Sequence, residues 1–209
     1  MEITYVICEG SSEANYIARL NAYLNDVDFT WSFDNRIVAV NCGSGILPAV
    51  EKCLRREYAR QRKDNRLVWV DYDLYAPVRT EESWHNEYIH RMPGGRAFYF
   101  SFHNFEDFLA LHFDDSAYAK YAEAVLVSGH ATKPLYGDEH APLFNPIYSE
   151  FTGEVYRKGM LSDGFVCREN LRNMIRHLEN RAISPVVDSA HEDFAKWLAE
   201  FLTRHNMCA

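Results

Sequence analysis

Asp71 and Asp73 are the residues of this chain whose type and spacing most directly suggest chemistry. They follow the apolar run Leu67 to Val70 and stand two positions apart. In an extended segment, residues i and i+2 point to the same side. The two carboxylates then converge and repel unless a cation lies between them. Magnesium suits such a pair, because it takes one or two carboxylate oxygens and keeps water molecules for a phosphate substrate. Manganese fits the same oxygen donors. The plain alternative is a solvated acidic turn after a strand. Glu9 is a third candidate. It follows the apolar run Ile3 to Cys8 and precedes Gly10, which permits a tight turn. A carboxylate there can share in binding a metal or act as general acid or base; its plain reading is a polar residue ending a strand. Glu106, within Asn104-Phe105-Glu106-Asp107-Phe108, stands among aromatic residues, where an unpaired charge is costly. It is a candidate further metal ligand, or else a helix-start carboxylate favoured by the dipole. His112, on an apolar stretch, reads as a satisfied core histidine.

Other chemistries lack their patterns. The nine histidines include His85 and His90, whose spacing of five does not match the HExxH pattern of a zinc peptidase. Gly43-Ser44-Gly45 lacks the GK[ST] ending of a P-loop, and no GxSxG elbow is present. The five cysteines are odd in number and form no CxxC pair. They read as reduced thiols of a cytoplasmic protein rather than a disulfide framework or zinc site. The first residues lack the basic-then-apolar order of a signal peptide, and no run is apolar for long enough to span a membrane.

The elements that must position these carboxylates alternate. Strands are expected over Ile3 to Cys8, Ile37 to Val40, Leu67 to Val70 and Ala97 to Phe102. Between them, helical spacing runs through Tyr16, Ile17, Leu20 and Leu24, then from Ile46 to Arg62, then from Glu81 to Arg91. Ser11 or Ser12 is the expected cap of the first helix, helped by Glu13. An apolar helix is expected from Phe105 to Phe113. This order predicts an α/β fold, a mostly parallel sheet flanked by helices, over residues 1–113. In such sheets ligands bind beyond the carboxyl ends of the strands, where Glu9, Asp71 and Asp73 all fall. Residues 114–209 read as an irregular insertion and C-terminal helices packed on that core. Ser128 to Gly164, rich in glycine and proline, is expected to be an irregular segment or lid with a short hairpin. Helical spacing returns over Phe165 to Arg181 and Asp188 to Arg204.

Composition bounds the partners. The net charge of −8 does not favour a polyanion over the surface as a whole, but leaves a local patch open. Basic residues cluster at Arg55, Arg56, Arg60, Arg62, Lys63 and Arg66, and again at Arg157, Lys158, Arg168, Arg172 and Arg176. Either set could follow a phosphate backbone or be a solvated helix face. Arg55, Arg56, Arg60, Arg62, Lys63 and Lys158 are the candidate nucleic-acid contacts.

Three segments, in this order and spacing, resemble the TOPRIM domain and within it the RloB-like family. They are Ile7-Cys8-Glu9-Gly10-Ser11-Ser12-Glu13 with Tyr16, Val68-Trp69-Val70-Asp71-Tyr72-Asp73, and Asn104-Phe105-Glu106 with Leu109-Ala110-Leu111-His112-Phe113. Tyr156-Arg157-Lys158-Gly159 is a later, weaker element of the same likeness. The family usually has a proline between the Asn and the Phe-Glu pair, and a Trp two positions after the Glu. Here Phe105 follows Asn104 directly and Phe108 replaces the Trp. The resemblance implies magnesium-dependent cleavage of nucleic acid, DNA or RNA, in bacterial defence beside an ABC-type or AAA-type ATPase. Two other readings compete with it. A DxD phosphatase would use Asp71 as nucleophile and a small hydroxyl residue four positions on, but Tyr75 stands there. A non-catalytic module binding an ATPase would not need all three core carboxylates.

Overall fold

The structure is a computed structural model, and it describes residues 2–28, 30–31, 35–41, 66–71, 98–101, 105–128, 141–180 and 193–207. Within these ranges the side chain of Asp71, among a few others, is not described. The expected helices at 46–62 and 81–91, the motifs at 43–45 and 85–90, and the basic residues Arg55 to Lys63 lie outside the described residues. So does Asp73.

The chain is a mixed α/β protein that divides into two compact units, Met1–Tyr99 and Phe100–Ala209. In the first unit, strand β1 (Glu2–Cys8) leads into helix α1 (Ser11–Val27) and then strand β2 (Asn35–Asn41). Strand β3 (Arg66–Asp71) follows, and β4 (Phe98–Ser101) spans the boundary between the units. The sheet order is β2-β1-β3-β4. β1 pairs in parallel with both β2 and β3, with Cys8 opposite Asn41 on one side and Trp69 on the other.

The expected strand runs form because they are short, β-branched and apolar. Val6, Ile7 and Cys8 are successive and all fully buried, so both faces of β1 are covered, as befits a central parallel strand. Tyr16, Ile17, Leu20 and Leu24 form the buried stripe of α1, and Tyr16 meets Trp69 edge to face at 5.8 Å. The cap of α1 differs from expectation. Gly10, not a serine, occupies the N-cap, and the Glu13 carboxylate accepts from the Gly10 N–H at 2.9 Å. Glu13 thus supplies the reciprocal half of a capping box.

The second unit contains helices α2 (Phe105–Ala110), α3 (Asp115–Val127), α4 (Ala141–Thr152), α5 (Arg168–Glu179) and α6 (Asp193–Arg204). The apolar helix is shorter than expected, because the chain turns over 111–113 and Asp114 caps α3 by accepting from the Ala117 N–H at 2.8 Å. Helix α4 corrects the reading of 128–164 as irregular throughout. Its prolines suggested a break, but Pro142 sits in the first turn, where no N–H is required, and Pro146 lies inside the helix. Burial of Phe144, Ile147 and Tyr148 on one face outweighs that proline. Phe105, Phe108, Leu109, His112 and Phe113 are all buried. The C-terminal half of α5 grips the turn after α2: Asn173 donates to the His112 carbonyl, and His177 contacts the Leu111 carbonyl and Asp115.

Among the described residues, no helix is long and apolar enough to cross a membrane. The buried Cys8 thiol donates to the Val6 carbonyl at 3.5 Å, and the Cys167 thiol is half-buried.

Candidate active site

Glu9 directly follows β1 and is partly buried. Its backbone N–H donates to the Trp69 carbonyl at 3.1 Å, so the β1–β3 pairing continues into Glu9. From the register Cys8 to Trp69, the next step brings Glu9 level with Val70, one residue before Asp71 ends β3. Two of the three acidic positions therefore stand at the carboxyl ends of adjacent parallel strands.

The topology makes this place special. The chain leaves β1 through α1 and returns at β2, on one side of β1. It later leaves β3 and comes back at β4, on the opposite side. Connections from β1 and β3 thus diverge, and the two strand ends border a topological switch point. In open α/β sheets, ligands bind at such a switch point. The Glu9 N–H donates to the Trp69 carbonyl and the Gly10 N–H to the Glu13 carboxylate, which fixes the backbone that carries Glu9. Oxygen donors at this edge have the chemistry that a hard divalent cation takes. Among the described residues, no three His, Cys, Asp or Glu side chains gather as a metal site. The expected set includes Asp73 and the Asp71 side chain, which lie outside them.

Glu106 belongs to the second unit. It is 7% exposed, and its Oε1 accepts from the Tyr156 hydroxyl at 2.9 Å. Asp107 beside it is 1% exposed and accepts from the Tyr121 hydroxyl at 2.7 Å. Burial, followed by the neighbouring Asp107 carboxylate, pushes the Tyr121 phenol well above its ordinary range, so it stays a donor. Two adjacent carboxylates in the first turn of α2 are thus each held by a phenol from another element. The sequence flagged Glu106 but not this clasp: Tyr156 is 50 positions away, and no local pattern joins them. Tyr156→Phe removes the hydroxyl and keeps the ring, which packs at 4.9 Å from Phe144 and 5.1 Å from Tyr148. The expected loss is about 2 kcal/mol of stability, the cost of taking a donor from a buried acceptor. Chemical denaturation measures it; an unchanged unfolding midpoint would show the contact to be idle.

His112 is fully buried between Phe108 and Phe165, with its Nδ1 at 3.2 Å from the Phe108 carbonyl. It is a satisfied core histidine, as the sequence suggests. Of the basic residues, Arg157, Lys158, Arg168, Arg172 and Arg176 are all exposed, and Arg176 pairs with Asp115 at 2.9 Å.

No family model, curated protein or solved structure matches the chain.

Proposed function

We propose that this chain is a metal-dependent phosphodiesterase that cleaves nucleic acid, with Glu9, Asp71 and Asp73 as its working carboxylates. The observation that carries the reading is the position of Glu9 and Asp71 at the ends of β1 and β3, on either side of the switch point. A DxD pair beside a third carboxylate, at the edge where α/β sheets bind ligands, is suited to an oxygen-seeking dication. Magnesium, or manganese in its place, would be held by Asp71 and Asp73 with Glu9, and would offset charge developing on the phosphodiester. Glu9 itself acts as general acid or base, moving a proton at its carboxylate oxygen. Its placement on a hydrogen-bonded backbone favours this role, because a general base must hold its position against the substrate.

The TOPRIM-like identity of the fold, the RloB-like likeness and a role in defence beside an ATPase belong to the same proposal. They rest on the sequence resemblance and on the parallel sheet that agrees with it. Glu106 enters the proposal as a further ligand only through that resemblance; in its own unit it is clasped by Tyr156. A non-catalytic role as an ATPase-binding module is the second reading, and the presence of Glu9, Asp71 and Asp73 together speaks against it.

The test is incubation of the purified protein with plasmid DNA, total tRNA and single-stranded DNA, each with magnesium, manganese or EDTA, alone and with a neighbouring ATPase. The net charge of −8 gives weak long-range attraction for a polyanion, so slow cleavage alone and faster cleavage with the ATPase are expected. EDTA should abolish both. Cleavage that survives EDTA would remove the metal from the account.

A further inference from the structure

Residues 153–162 form a turn held at both flanks in the second unit. Its two flanks are pinned to α4. On one side, the Tyr156 ring is buried against Phe144 and Tyr148, with its hydroxyl on Glu106. On the other, the Ser162 N–H donates to the Tyr148 hydroxyl at 2.8 Å and Leu161 is buried. Between these anchors the chain reverses tightly. Arg157 and Met160 form an antiparallel bridge, the Met160 N–H donates to the Arg157 carbonyl at 2.7 Å, and Gly159 takes φ +79°. That conformation is the left-handed one a side chain disfavours, so a glycine at this step lets the turn close.

The turn displays an unusual set of side chains. Arg157 and Lys158 are exposed at its apex, flanked by Val155 at 73% and Met160 at 64% exposure. Single exposed apolar side chains are ordinary on a protein surface; here two of them border adjacent exposed cations on one pinned turn. The set does match a polyanion with apolar surface between its charges. Two cations adjacent in sequence meet successive phosphates, while apolar side chains beside them pack on sugar and base edges or wedge between bases.

We infer that the Val155–Met160 turn is a nucleic-acid contact, with Arg157 and Lys158 on the phosphodiester backbone and Val155 and Met160 against sugars or bases. The inference rests on the proposed nuclease reading and adds a binding element to it: Lys158 was a candidate contact from sequence and Arg157 stood in the same basic cluster, while the pinned turn and the apolar flanks come from the structure. Because the turn is fixed before binding, little ordering is required of it on contact.

The test is fluorescence anisotropy with a short labelled DNA duplex and a single strand of equal length, without divalent metal, across a range of salt. The variants are Arg157→Gln with Lys158→Gln, and a charge-matched control on α6, Lys196→Gln with Arg204→Gln. Each phosphate contact on duplex DNA contributes roughly 0.9 to the slope of log affinity against log salt. Losing two should flatten the slope by about 1.8. Between about 50 and 200 mM salt, the turn variant should then lose roughly tenfold less affinity than the wild type. The control should keep the wild-type slope. If the wild type binds and the turn variant has the same affinity and slope, or if the control changes equally, the inference falls while the nuclease reading stands. If the wild type neither binds nor cleaves any nucleic acid, both fall. Binding of anionic phosphatidylserine vesicles that is lost in the turn variant, with no change toward DNA, assigns the turn to a membrane and also overturns the inference.

Discussion

Asp71→Asn and Asp73→Asn should each abolish the proposed metal-dependent cleavage and leave the protein folded. Both changes remove a charge while keeping nearly the same shape. Asn offers a neutral carbonyl, which a hard cation binds far less well than a carboxylate. The β3 backbone ends at Asp71 and is held by its pairing to β1, and neither substitution alters that pairing. The spacing of two predicts both carboxylates on one side, where they would repel in the absence of metal. Neutralising one should therefore leave the melting temperature unchanged without magnesium, or raise it slightly. With magnesium, the wild type gains stability by mass action and the variants do not. The check is a cleavage assay beside thermal melts with and without magnesium, for the wild type and both variants. Full activity in either variant would rule out a shared-metal mechanism. Lost activity together with a large fall in melting temperature would place the pair among the structural residues instead.

Acid weakens the second unit through His112. Burial is the main cause that holds the ring down, from an ordinary 6.5 to about 4, against the hydrogen bond to the Phe108 carbonyl that opposes it. The sign follows from which state takes the proton. Between pH 6.5 and about 4 the unfolded chain binds a proton at His112 and the folded chain does not. Stability from this residue is therefore complete above pH 6.5 and declines as pH falls toward 4. At about 1.4 kcal/mol per pH unit, the decline amounts to about 3 kcal/mol. Other carboxylates titrate in the same range, so the measurement is a difference. Urea unfolding of the wild type and of His112→Gln, each at pH 7 and pH 4, isolates the histidine. The glutamine keeps a donor for the Phe108 carbonyl and has no charge to gain. The stability advantage of the wild type at pH 7 should shrink by about 3 kcal/mol at pH 4. An advantage that is equal at both pH values would show that His112 does not resist protonation in the fold.

The described strands and helix of the first unit are legible in the sequence, because the signals there are local. The run Ile3 to Cys8 is short and apolar, and Tyr16, Ile17, Leu20 and Leu24 keep helical period, so β1 and α1 follow directly. Their connection by a glycine and a carboxylate marks the strand end that carries Glu9. The strand order is not local: nothing in the sequence says that β1 lies between β2 and β3. That order is what sets Glu9 beside the end of β3. The second unit is less legible. Pro142 and Pro146 hid helix α4, although Phe144, Ile147, Tyr148 and Phe151 keep the i, i+3, i+4, i+7 spacing of a buried face. The proline signal acts on one hydrogen bond, while the aromatic face acts on the whole core. The serines after Gly10 attracted the capping role by type, but the extended Gly10 leaves its N–H facing Glu13, three residues on. The phenol clasps on Glu106 and Asp107 come from Tyr156 and Tyr121, partners that only the tertiary fold brings close.

The central claim is that Glu9, Asp71 and Asp73 hold one divalent cation between them. Calorimetric titration of magnesium, and separately of manganese, into the metal-free protein tests this without reference to substrate. The wild type should bind in a saturable manner. Asp71→Asn and Asp73→Asn should each lose that binding, and Glu9→Gln should weaken it. Wild-type binding in both aspartate variants, or no saturable binding by the wild type at any accessible concentration, would contradict it.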